Sequence, residues 1–237
     1  MSKLIKATKQ PIKRLPGFDN MRPGALERAF KDVVSKNDNR PILQNLHLTS
    51  DGSAVATDTH VLLRVRKFHN LGINVNLNLL KFMPELEEGD PLIGSAYPDT
   101  DRLIPAGPGD VTFELLTPEL RKALPVIKSM FYPAAGPDNS QVVRMQFRKD
   151  DRSEDYLQIG SDTSQVTMIT HNALGVDQLE PTGINPRYLY NAFRLFVDYF
   201  GRADGLVRVD WYGALRPITL SVDDGGISYL ITPLRTF

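Results

Sequence analysis

Ile227-Ser228-Tyr229-Leu230-Ile231-Thr232-Pro233-Leu234-Arg235 is the stretch on which the reading of this chain turns. A run of aliphatic and aromatic residues ended by proline reads as a terminal strand. Asp223-Asp224-Gly225-Gly226 supplies the turn into it, and residues 217–222 and 206–211 alternate as the strands before. Ahead of Gly205 a helix is marked at both ends: Asn185 suits the N-cap, Pro186 the first helical position, and Gly201 the stop. Leu189, Phe193, Phe196 and Phe200 recur at helical spacing on one face, with Arg187, Asn191, Arg194 and Asp198 on the opposite one.

Upstream, residues 1–20 are basic and broken by Pro11, Pro16 and Gly17; residues 4–7 read as a short edge strand or part of a mobile tail. A helix from Pro23 carries Leu26, Phe30 and Val33 on one face, and Arg28, Lys31 and Ser35 on another. Residues 41–49, 54–57 and 61–67 alternate as strands, with Asp51-Gly52 as a turn. A second helix is expected from about Asn76 to Glu88, kinked or ended by Pro84. The Gly/Pro-rich segment 97–110 reads as a linker.

The pattern then repeats. A strand at 111–115 runs into a helix opened by Thr117-Pro118, with Leu120, Leu124 and Ile127 inward and Pro125 straining its second half. Strands follow at 141–148, 156–160 and 165–171. The expected fold is α+β, two copies of one unit of helices on one face of antiparallel sheets, the first copy abbreviated. The expected division is a basic extension over 1–20, an abbreviated unit with its linker over 21–110, and a complete unit over 111–237.

At 237 residues and 41% hydrophobic, the chain can bury a substantial core. Lys+Arg and Asp+Glu both number 28, which argues against a simple polybasic binder but leaves room for a local basic face. Without cysteine there is no disulfide, thiolate metal site or thiol nucleophile. No apolar run is long enough to span a bilayer, and Lys3, Lys6, Lys9 and Lys13 interrupt any signal peptide, so a cytoplasmic protein without a membrane partner is expected. His47, His60, His69 and His171 lack metal-ligand spacing, and Gly107-Pro108-Gly109 is linker punctuation rather than a nucleotide loop. The acidic runs at 85–90 and 150–155 read as solvated surface. No nucleophile has an identifiable base, so neither an enzyme nor a cofactor is expected.

The C-terminal block resembles the last domain of the bacterial DNA sliding clamps, the beta subunit of DNA polymerase III. Those chains end in tyrosine, two aliphatics, a variable residue, proline, a hydrophobic residue and arginine, as Tyr229 to Arg235 do. Thr232 stands where methionine is common, and Thr236-Phe237 extends the usual end. Arg40-Pro41-Ile42-Leu43-Gln44-Asn45, Ala56-Thr57-Asp58-Thr59-His60-Val61-Leu62 and Tyr97-Pro98-Asp99-Thr100-Asp101-Arg102-Leu103-Ile104-Pro105 resemble further clamp segments, in the order of the middle and last domains. Thr59 and Val61 replace the family's glycine and arginine, and its first domain has no counterpart.

The resemblance implies a non-enzymatic processivity factor whose helices offer cations to double-stranded DNA without base readout. The candidates are Arg28 and Lys31, Arg121 and Lys128, and Arg187 and Arg194; each also reads as part of an ordinary solvated helix face. It implies a pocket for peptides of DNA polymerase and other clamp partners, formed by Thr57, His60, Leu62, Pro98, Arg102, Leu103, Pro217, Leu230, Ile231, Thr232, Pro233, Leu234 and Arg235. Leu230, Ile231 and Leu234 read equally as core strand residues. A clamp loader and a homo-oligomer, trimer or dimer, are implied as well. The alternative is a non-encircling clamp mimic or regulator that binds the same peptides. An enzyme would instead need a deep polar cleft with perturbed titratable groups.

Overall fold

The computed structural model describes residues 21–72, 74–78, 97–131, 142–149, 155–161, 163–178, 180–222 and 226–234. The expected edge strand at 4–7, most of the helix expected at 76–88, the turn residues 223–225 and Arg235 lie outside them.

Three times among the described residues the chain runs a helix into a three-stranded antiparallel meander. Helix α1 (Ala25–Val33) leads to β1 (Asn45–Leu48), β2 (Ala54–Thr57) and β3 (Val61–Val65), with β4 (Val75–Asn78) returning against β1. Strand β5 (Val111–Leu116) precedes α2 (Thr117–Ser129), which leads to β6 (Val143–Lys149), β7 (Asp155–Gly160) and β8 (Gln165–Ile169). Strands β9 (His171–Leu174) and β10 (Thr182–Ile184) precede α3 (Pro186–Phe200), which leads to β11 (Leu206–Trp211), β12 (Ile218–Val222) and β13 (Ile227–Ile231). The lead strands are exchanged: β5 pairs with β11 and β10 with β6. Each meander of the second half is therefore completed by the strand that introduces the other.

The strands form a nine-stranded sheet, β4-β1-β2-β3-β13-β12-β11-β5-β9, and a four-stranded sheet, β10-β6-β7-β8. The larger sheet crosses from one half of the chain to the other where β3 pairs antiparallel with β13. Alternation sends Leu46, Leu63, Val65, Tyr229 and Ile231 to one face, where they join the helices in a continuous core. Each large apolar side chain buried this way contributes roughly 1.5–3 kcal/mol. Both ends of α3 form as the sequence indicates, with Asn185 Oδ1 accepting from the Arg187 N–H at 2.9 Å and Gly201 at φ 62°. No helix among the described residues is long and apolar enough to cross a membrane.

Several local expectations change. Residues 75–78 are strand rather than the start of a helix, because Val75 and Leu77 alternate into the core while β4 pairs with β1. The strand expected at 165–171 is two strands in different sheets, β8 beside β7 and β9 beside β5, with Asn172 at φ 51° just past the break. Residues 41–44 form a 3-10 turn ahead of β1, and β10 is an additional strand. Helix α2 continues through Pro125 to Ser129; burial of Leu120, Ala123 and Ile127 offsets the ~3 kcal/mol such a proline costs. Asp198, expected on the solvent face of α3, is only 3% exposed, because α1 packs against that side of the helix.

Candidate functional site

The linker crosses the face of the nine-stranded sheet that points away from the helices. Register places Val55 opposite both His47 and Arg64, Leu62 opposite both Thr57 and Leu230, and Thr219 opposite Leu230. Val55, Leu62 and Leu230 form a buried cluster separate from the main core, with Ile104 of the linker packed on it. Tyr97 stacks on His47 with ring centroids 4.5 Å apart. Arg64 Nη1 donates to Asp101 Oδ1 at 2.7 Å, Tyr212 Oη to the Gly107 carbonyl at 2.8 Å, and the Gly109 N–H to Asp210 Oδ1 at 3.2 Å. The segment is thus pinned from β1 across the β3–β13 seam to β11. Burial pushes the Tyr97 phenol up and the His47 imidazole down, the latter opposed by its hydrogen bond with Asn76.

The corner between β2 and β3 is built by side chains bonding back to the backbone. Asp58 Oδ1 accepts from the N–H groups of His60 at 2.8 Å and Val61 at 2.9 Å, while Thr57 Oγ1 donates to the Val61 carbonyl at 2.6 Å. Thr59 occupies the left-handed region at φ 85°, the position where the resembling segment has glycine. Its Oγ1 accepts from Arg40 Nη1 at 2.9 Å. The His60 carbonyl accepts from both the N–H and the Oγ1 of Thr232, each at 2.8 Å, tying the corner to the segment after β13. The His60 ring stacks near Tyr188 at 6.2 Å; burial, reinforced by Asp58, pushes the Tyr188 phenol up to about 12. A cleft of about 330 Å³ opens here, lined among others by Lys36, Asp58, Phe131, Arg187 and Tyr190.

The thirteen positions named for a peptide pocket fall into groups. Thr57, Leu62 and Leu230 share the outer face beside Ile104, and Leu103, next in the chain, is 48% exposed. Arg102 pairs with Asp99 at 2.9 Å, and Pro98 is exposed beside Tyr97. His60 and Thr232 are joined as described, and Pro217 immediately precedes β12. Ile231 faces the main core instead. Pro233 is half-buried, the Leu234 N–H donates to the Gly183 carbonyl at 2.8 Å, and Arg235 lies outside the described residues. Sequence reasoning passed over Val55, Ile104 and Thr219. Ile104 carried a signal, an aliphatic residue inside a Gly/Pro-rich linker; Val55 carried none, because β2 is buried on both faces. The Thr219 hydroxyl is buried with no hydrogen-bond partner among the described residues.

The helix cations are largely engaged. Lys31 pairs with Glu27 at 2.7 Å, and Arg28 and Arg194 with Asp198. Arg121 binds Asp204 at 3.0 Å and the carbonyls of Gly201 and Ala203, closing the C-terminal end of α3. Arg187 lies 5.3 Å over the Phe131 ring, and Lys128 is exposed on the last turn of α2. A second cavity, about 560 Å³, lies on the four-stranded sheet against Arg144 and the hydrogen-bonded row Gln146, Gln158 and Gln165, and reaches Gly183, the backbone partner of Leu234.

This fold is similar to that of solved DNA sliding clamps. The structure is similar to the DNA polymerase sliding clamp of Bacillus subtilis, at 21% identity and a TM-score of 0.63, over 90% of this chain and 62% of that one. It is likewise similar to the DNA polymerase III beta chain of Streptococcus pneumoniae, at 23% identity and a TM-score of 0.62, over 90% and 62% of the two chains. A Helicobacter pylori beta clamp solved bound to a DNA ligase peptide is 15% identical, with a TM-score of 0.61, over 89% and 62%. The chain therefore spans about 62% of the length of these solved clamps. No family model matches the sequence, and no curated protein matches it.

Proposed function

We propose that this chain is a sliding-clamp-like DNA polymerase processivity factor, non-enzymatic and cytoplasmic, with an abbreviated unit over 21–110 and a complete unit over 111–237. In this reading it holds double-stranded DNA non-specifically as a homo-oligomer, trimer or dimer, with a polymerase and a clamp loader as partners. The observation that carries it is the Val55, Leu62 and Leu230 cluster beneath Ile104 at the β3–β13 seam, where the clamp resemblance puts its peptide pocket. Leu103, 48% exposed, and Ile104, packed on that cluster, offer apolar surface, and the His60 corner offers polar anchors for a short hydrophobic peptide.

The test is molar mass by light scattering over a range of concentration and salt, followed by retention on circular against linear DNA. A stable trimer or dimer held on circles and lost from linear ends supports the reading. A strict monomer that binds peptides without topological hold on DNA supports the second reading, a non-encircling mimic or regulator. One observation favours that second reading: Lys31 and Arg121, two of the six candidate cations, are each already paired with a carboxylate within the chain.

A further inference from the structure

At the seam between α1 and α3, one buried carboxylate gathers three guanidinium groups. Arg28 Nη2 pairs with Asp198 Oδ2, Arg22 Nη1 lies 3.3 Å from Oδ1, and Arg194 Nε approaches Oδ2 at 3.9 Å. The backbone reinforces the arrangement, since the Arg22 N–H donates to the Asp198 carbonyl at 3.0 Å. A carboxylate out of water needs a counter-charge, and one arginine suffices for that. Three leave a surplus of two positive charges at this point of the seam.

The surplus is accessible. Asp198 has a side chain only 5% exposed, whereas those of Arg22, Arg28 and Arg194 are 63%, 36% and 38% exposed. Each guanidinium carries five N–H donors in a planar fork, and the contacts with Asp198 occupy only some of them. Like charges would ordinarily hold three such groups apart. Here Asp198 draws them together from two helices and the segment leading into α1, so the ordering cost is met before any ligand arrives.

We propose that Arg22, Arg28 and Arg194, gathered by Asp198, form a phosphate-binding site at the α1–α3 seam. Three planar forks held at one carboxylate match the oxygens of a phosphate better than they match a point-like anion. The site stands on these contacts alone; only its assignment to the DNA backbone rests on the clamp reading. A small phosphorylated compound presents the same chemistry, and the test separates the two.

The experiment is calorimetric titration of the full chain with pyrophosphate at low salt, repeated with a short DNA duplex present. Saturable binding is expected, weakened at least tenfold by the double substitution Arg22→Gln with Arg194→Gln. Arg28 still pairs with Asp198 in that variant, so its thermal midpoint should hold, and Lys122→Gln should bind as the unmodified chain does. Displacement of pyrophosphate by the duplex assigns the site to the DNA backbone. Binding that the duplex does not displace assigns it to a small phosphate compound, and the site then survives without the DNA-holding role. No saturable binding to the unmodified chain, or unchanged affinity in the double variant, overturns the proposal.

Discussion

Leu62 and Leu230 sit directly opposite one another in the register that joins β3 to β13, on the sheet face away from the helices. Because both are buried, Leu230→Ala should lower stability by roughly 2–5 kcal/mol and cannot isolate peptide binding from folding. Leu103, 48% exposed beside Ile104, can. Leu103→Ser should leave stability within about 0.5 kcal/mol yet weaken a clamp-binding peptide about tenfold by fluorescence anisotropy. Unchanged affinity would take the linker out of the pocket.

Thr59 holds a β-branched side chain at φ 85°. Thr59→Gly relieves a conformation that costs roughly 1–2 kcal/mol and loses the 2.9 Å hydrogen bond from Arg40. Less the unfolded-chain entropy that glycine adds, roughly 0.4–1 kcal/mol, the net expectation is a gain below about 1 kcal/mol and a rise in melting temperature of no more than about 2–4 °C. A lower melting temperature would mean that the Arg40 contact outweighs the backbone strain.

The stacked pair His47 and Tyr97 makes the linker's anchorage sensitive to pH. Burial lowers the His47 pKa below the ordinary 6.5, so the folded protein favours the neutral ring while the unfolded chain takes up the proton first. Stability from this site is therefore fully present above 6.5 and is lost as pH falls from there through the depressed folded value. Urea midpoints should drop between about pH 7.5 and about pH 5.5, and His47→Phe should flatten that drop. An equal drop in the variant would place the proton uptake elsewhere.

Arg187 and Lys128 test the DNA face more cleanly than the cations held by carboxylates. If they touch phosphates, Arg187→Glu with Lys128→Glu should weaken duplex binding uniformly across sequences. The slope of log affinity against log salt should fall by about 1 for each cation lost. An unchanged salt slope would remove α2 and the start of α3 from the DNA surface.

Legibility followed the local signals. Helix α3 could be read to the residue because Asn185, Pro186 and Gly201 each act within one turn of a helix end. Strands β2 and β11 and the linker were equally plain. The break between β8 and β9 was not, since residues 165–171 carry no glycine or proline to mark the point, Thr170, at which the chain changes sheets. Residues 75–78 alternate over only four positions, too few to read alone, and become a strand through long-range backbone pairing with β1. Asp198 looked like one more surface charge on α3. Only the approach of α1, with Arg22 and Arg28, buries it and turns it into an organising group.

Strand β13 is the last described strand in chain order, yet it occupies the fifth place of nine in the large sheet. During synthesis, then, the strands of the first half wait beside an unpaired β3, and those of the second half beside an unpaired β12, until residues 227–231 emerge. Two half-sheets with open edges are templates for pairing with other chains. The step that joins them closes a very long loop, so it should be slow, and a nascent chain stalled short of Ile227 should be prone to aggregate.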